Sequence, residues 1–143
     1  MNKKEALKIL NDNAATENDS YLYFIHEEGC FDEFSFWEFY NAIKVLGHEF
    51  KDEKKLSREL MKKIIKSYEW YLILIGFHFD PNDKSRIDHL PENYSQYSLR
   101  LRNAITSFID GNPITNELEE VLNNDLKNKT KVFKKVDYNK SNM

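Results

Sequence analysis

The chain has 143 residues, 41% of them apolar, 31% charged and 14% aromatic, enough to bury one hydrophobic core and too few for two. Its 21 Lys and Arg against 24 Asp and Glu give a net charge of −3, which argues against a dedicated nucleic-acid binder. The single cysteine, Cys30, excludes an intramolecular disulfide and an all-cysteine zinc site.

The opening MNKKEALKIL lacks the apolar run and small-residue cleavage site of a signal peptide. It reads instead as a short helix over about residues 2 to 13, with Ala6, Leu7, Ile9 and Leu10 on one side. After the polar run NDNAATENDS comes YLYFIHEE (21–28), which Ser20 can cap. Its alternation is imperfect and fits a helix or a strand; helix is favoured, because no β-rich partner segment stands elsewhere. Residues 32 to 46 form a clearer helix, with Asp32 as cap and Phe36, Phe39, Tyr40, Ile43 and Leu46 at helical spacing.

The longest element is expected from near Asp52 to about Gly76, with a buried stripe of Leu56, Leu60, Ile64, Tyr68, Leu72 and Ile75. Met61, Ile65 and Tyr71 widen that stripe, and the all-round apolar WYLILIG places this end in the middle of the domain. The apolar stretch Trp70 to Phe77 is far shorter than the roughly 20 residues of a membrane helix. Tyr94, Tyr97, Leu101, Ile105 and Phe108 mark the next helix, and Leu118, Val121, Leu122 and Leu126 a last one behind Thr115. Gly29, Gly47, Gly76 and Gly111 each follow a periodic segment, as helix C-terminal signals do. From Lys127 the tail holds six Lys and one Asp and reads as frayed and flexible. The expected fold is all-α: one compact domain of about five to six helices over residues 1–126, with a basic tail over 127–143.

Charge is distributed unevenly. No Lys or Arg occurs between Lys8 and Lys44, while those 35 residues hold eight acids and nine aromatics. The tail carries +5, so residues 1–126 hold 15 bases against 23 acids, or −8. Such a surface repels phosphate backbones and steers basic proteins towards it. Glu27, Glu28, Asp32, Glu33 and Glu38 are the candidate contacts, with Trp37 as an aromatic anchor.

Catalytic chemistry finds little material. HFDPND (78–83) followed by His89 is the one cluster with ligand chemistry, and a metal-dependent hydrolase using His78, Asp80, Asp83 and His89 is the enzyme-class alternative. Its spacing matches neither HExxH nor an EF-hand, where Lys84, Ser85 and Pro91 stand at ligand or glycine positions. Asp80, Asn82 and Asp83 are better read as organising a turn beside Pro81. Cys30 lies among acids, which raises a thiol pKa rather than activating it. There is no Gly-rich phosphate loop and no GxSxG elbow, so no cofactor, metal or catalytic residue is expected.

FDEFSFWEFYNAI (31–43), HFDPNDKSRIDHLPENY (78–94) and the helix between them resemble small helical immunity proteins of bacterial polymorphic-toxin systems, including contact-dependent growth inhibition. The resemblance covers about residues 30 to 110. It implies a cytoplasmic, non-catalytic protein that neutralises one cognate toxin by binding its C-terminal domain at or near the active site, with no nucleic-acid or membrane partner. A nuclease toxin with a basic groove suits the acidic body. An acidic phage or plasmid inhibitor of a nucleic-acid-binding protein shares the same physics with a different partner.

Overall fold

The computed structural model describes residues 1–127 and 132–133. Helix α1 (Lys3–Ala15) starts at a capping box, in which the Asn2 side chain accepts from the Glu5 N–H and Glu5 accepts from the Asn2 N–H. Helix α2 (Tyr21–Tyr23), capped by Ser20, runs directly into a π-helical turn (Phe24–Glu28). Residues 21–28 are thus helical, as favoured, although their hydrogen bonding widens midway. Gly29 ends this turn in the left-handed region, where a Cβ would lie 2.8 Å from the Arg86 carbonyl oxygen. Helix α3 (Glu33–Glu49) is capped by the Asp32 carboxylate, which accepts from the Ser35 N–H at 2.8 Å.

Helix α4 (Arg58–Phe79) starts six residues later and ends three later than expected, with Ser57 as its cap. Helix α5 (Tyr94–Asp110) stops at left-handed Gly111, and α6 (Asn116–Lys127) follows Thr115, whose hydroxyl accepts from the Leu118 N–H. Two short strands, β1 (Leu90–Pro91) and β2 (Val132–Phe133), pair antiparallel. Of the expected frayed tail, Lys127 ends α6 and Val132 and Phe133 are held in a ladder; the rest lies outside the described residues. Gly29 and Gly111 act as helix stops, but Gly47 and Gly76 lie inside helices. Gly47 packs against α5, where a Cβ would sit 3.7 Å from the Phe108 Cα, an ordinary contact distance.

The four long helices close a ring: α1 against α3, α3 against α5, α5 against α4, and α4 against α1. The fold is all-α. Tyr21 from α2 plugs the centre, with its ring edge-on to Phe36 at 5.3 Å and near Tyr71 at 5.6 Å. Phe36 in turn meets Tyr97 at 4.9 Å, so four elements share one aromatic cluster. Two expectations about burial fail. The second half of α4 is not the middle of the domain: Leu72 is exposed, because the ring covers only one side of this helix. Likewise α6 rests mainly on α5, so Leu126 is buried while Leu118 and Val121 stay exposed. No described helix is long and apolar enough to cross a membrane.

Candidate functional site

An open cleft of about 450 Å³ lies between α1, the α1–α2 loop and α3. Four carboxylates line it, from Glu5, Asp12, Asp19 and Glu38, against one basic side chain, Lys8. The loop at its rim is strained: Thr16, Asn18 and Asp19 all have φ near +55° (53°, 56° and 55°), a conformation that non-glycine residues adopt at a cost. Hydrogen bonds hold it there. Glu17 N–H donates to the Asp12 carbonyl at 3.0 Å, and the Ser20 hydroxyl donates to the same carbonyl at 3.2 Å. Buried Asn13 locks α1 to α2, donating to the Ile9 carbonyl and accepting from the Leu22 N–H.

Lys8 is held by Asp12 at 2.7 Å, and Asn18 donates to the other Asp12 oxygen at 3.0 Å. Burial pushes the Asp12 carboxyl up, but the Lys8 bond, the Asn18 amide and the Lys8 charge outweigh this and leave it below its ordinary value. Lys8 is raised, first by its bond to Asp12 and then by the Asp12 charge, with smaller contributions from Glu17 and Glu38. With Lys8 engaged by Asp12, Asp19 and Glu38 offer carboxylates to a cation from outside.

Phe34, four residues before Glu38, shares its face of α3 and is 73% exposed. It is the large aromatic that α3 turns to solvent. The expected anchor, Trp37, is instead half-buried within the molecule. Its ring meets Phe36, Tyr40 and Tyr97, and the Arg100 guanidinium sits 5.2 Å from its centre.

The six expected contacts are spread over separate environments. Glu38 alone lines the α1–α3 cleft. Glu27 and Glu28 line a second cleft of about 400 Å³ with Trp70 and Arg86; Glu27 also contacts His26 at 3.0 Å, and Glu28 accepts from the Tyr23 hydroxyl. Asp32 caps α3. Glu33 faces the Trp37 indole N–H at a long 3.4 Å. Phe34 was missed although its phase shows it: Phe36, Phe39, Ile43, Leu46 and Gly47 define the buried arc of α3, and Phe34 falls nearly opposite.

A buried charge cluster was also missed. Arg100 is 2% exposed; its Nη2 donates to Glu119 at 2.5 Å and to the Asn123 side chain at 2.9 Å. Glu119 also accepts from the Tyr40 hydroxyl and lies 3.2 Å from Lys44 Nζ. These bonds clamp α6 onto α3 and α5. Among the described residues the Nε and Nη1 of Arg100 find no hydrogen-bond partner, and the ring faces of Trp37 and Tyr40 compensate part of that loss.

The HFDPND stretch is a turn. Asp80 accepts from the Asn82 N–H at 2.9 Å and Asp83 from the Ser85 N–H at 2.7 Å. His78 is buried, with its Nδ1 accepting from the Ile87 N–H, whereas His89 is exposed at φ +60°. Among the described residues no three His, Cys, Asp or Glu gather as metal ligands. The Cys30 thiol is pushed up by burial and by the charges of Asp32, Glu28 and Asp88.

No protein-family model, curated protein or solved structure matches this chain.

Proposed function

We propose that this protein is a cytoplasmic, non-catalytic immunity protein. In this reading it binds the C-terminal domain of a cognate bacterial toxin and covers a basic active-site groove. The observation that carries it is the open cleft with four carboxylates and one already engaged lysine, on a body that carries −8 over residues 1–126. An Arg or Lys of the toxin would pair with Asp19 and Glu38, while Phe34 fills an apolar depression beside it. A toxin that acts on nucleic acid has the basic groove this chemistry requires. Glu27 and Glu28 extend the negative field and steer the encounter.

Co-expression with the toxin encoded next to this gene is the direct test. Growth should be protected by the wild-type chain and lost with Asp19→Lys and Glu38→Lys combined. Association should slow in that variant, more so at low salt, because steering is screened by ions. Full protection by the double reversal carrying Phe34→Ala as well would remove the cleft from the mechanism. A wild-type chain that neither binds nor protects would overturn the immunity reading itself.

A further inference from the structure

The outward face of α4 has no neighbour in the ring of helices. Leu60, Ile64, Ser67, Tyr71, Leu74 and His78 form its buried side. On the opposite side Ile65, Leu72 and Ile73 are 46%, 44% and 39% exposed. Large aliphatic side chains scattered singly over a surface are ordinary; three gathered on one face of one helix mark a contact surface. Gly76 continues this face, and a Cβ built there would meet nothing within 4 Å. Glycine weakens a helix interior. Gly47 faces the α5 backbone at Phe108, whereas at Gly76 nothing within the described chain stands opposite.

The charges on this face say what covers it. Its amino half carries three bases, Arg58, Lys62 and Lys66, against two acids, Glu59 and Glu69, and its carboxyl end carries the Asp80 cap and the negative end of the helix dipole. A second copy laid parallel would set like charges together. Laid antiparallel, it sets the bases of each helix against the carboxyl end of the other. We propose that α4 is the contact of a twofold homodimer whose two copies of this helix cross antiparallel near Leu72 and Ile73. Residues equally far from the axis then meet, as in any isologous contact. Leu72 meets Ile73, and Glu69 of each copy comes over Gly76 of the other, where the missing Cβ admits a close approach. A helix of 22 residues spans about 33 Å. One such crossing lies at the low end of specific interfaces, so the dimer is weak and forms in the micromolar range or above.

Sedimentation equilibrium of the full chain, from micromolar to near-millimolar concentration, tests this. The wild type should show a monomer–dimer equilibrium, weakened at least about tenfold by Ile73→Asp and by Gly76→Leu. Both variants should fold, because neither side chain points inward. Gly76→Leu should unfold at an equal or higher temperature, which separates loss of the contact from loss of the fold. A wild-type chain that is monomeric throughout the range overturns the proposal. So does a dimer that both variants leave intact, because its contact would then lie elsewhere.

Discussion

Arg100 is 2% exposed and depends on Glu119 for its counter-charge. Removing Glu119 would leave Arg100 buried without its counter-charge, so Glu119→Ala should cost about 3 kcal/mol or more and loosen α6. Urea unfolding measures the cost, and hydrogen exchange localises it. Burial alone pushes the Glu119 carboxyl up, but the Tyr40 bond and the Lys44 and Arg100 charges prevail and hold it below its ordinary value. A depressed folded pKa gives stability that is present above the unfolded value near 4.5 and lost as pH falls through the folded one. Acid unfolding of the wild type should therefore be steeper between about pH 5 and about pH 3 than that of Glu119→Gln. At the other extreme, burial first and then the bond to Glu119 push Tyr40 up to about 12. The two aromatics of α3 divide the remaining roles. Trp37→Ala should destabilise by about 2 to 4 kcal/mol, because the ring covers Arg100 and Tyr97. Phe34→Ala should change stability by less than about 0.5 kcal/mol and weaken binding of the proposed partner instead. Equal losses of stability in both variants would contradict this division.

At the scale of elements, the glycines and caps show how one residue type serves opposite ends. Gly29 needs its left-handed φ of 60°, and a Cβ there would strike the Arg86 carbonyl oxygen. Gly29→Ala should therefore cost about 1 to 3 kcal/mol. Gly76→Ala, in open space within α4, should stabilise by about 0.5 to 1 kcal/mol. Thermal unfolding of the pair should move in opposite directions; a shift of both in the same direction would contradict this contrast between the two glycines. Asp32→Ala should cost about 1 kcal/mol as a lost N-cap. If Asp32 acts only as a cap, that substitution leaves the affinity for a partner unchanged.

For the whole molecule, the ring of four helices around Tyr21 gives the described helices one shared core, and β2 adds contacts to it. Phe133 pairs with Leu90, and its ring lies 5.5 Å from that of Phe79 and 6.2 Å from that of His78. Truncation after Lys127 should then cost about 1 to 2 kcal/mol while unfolding stays cooperative, because the aromatic centre is untouched. An unchanged denaturation midpoint would show that β2 contributes nothing to the fold. The same truncation removes five Lys and one Asp, a net +4, and exposes the acidic body more fully to a basic partner.

The sequence by itself determined the helices and most of their caps. Apolar spacing in α3 and α5 and the Ser20, Asp32 and Thr115 caps act over three or four residues, and local hydrogen bonds and periodicity settle such features. It also determined the excess of acid over residues 9–43 and the turn at Asp80–Ser85, where short side chains bond their own backbone. Only the tertiary structure decided which apolar residues are inside. Leu72 and Leu118 share the spacing of core residues, but burial depends on whether a second element covers that side, and nothing local encodes the neighbour. The same reason separated Glu38 from Glu27 and Glu28, which are close in sequence but line different clefts. It also joined Arg100 to Glu119, Tyr40 and Trp37, a cluster drawn from three helices with partners up to 79 residues apart. Periodicity assigns a side chain to a face of its own helix; the packing of the other helices decides what that face meets.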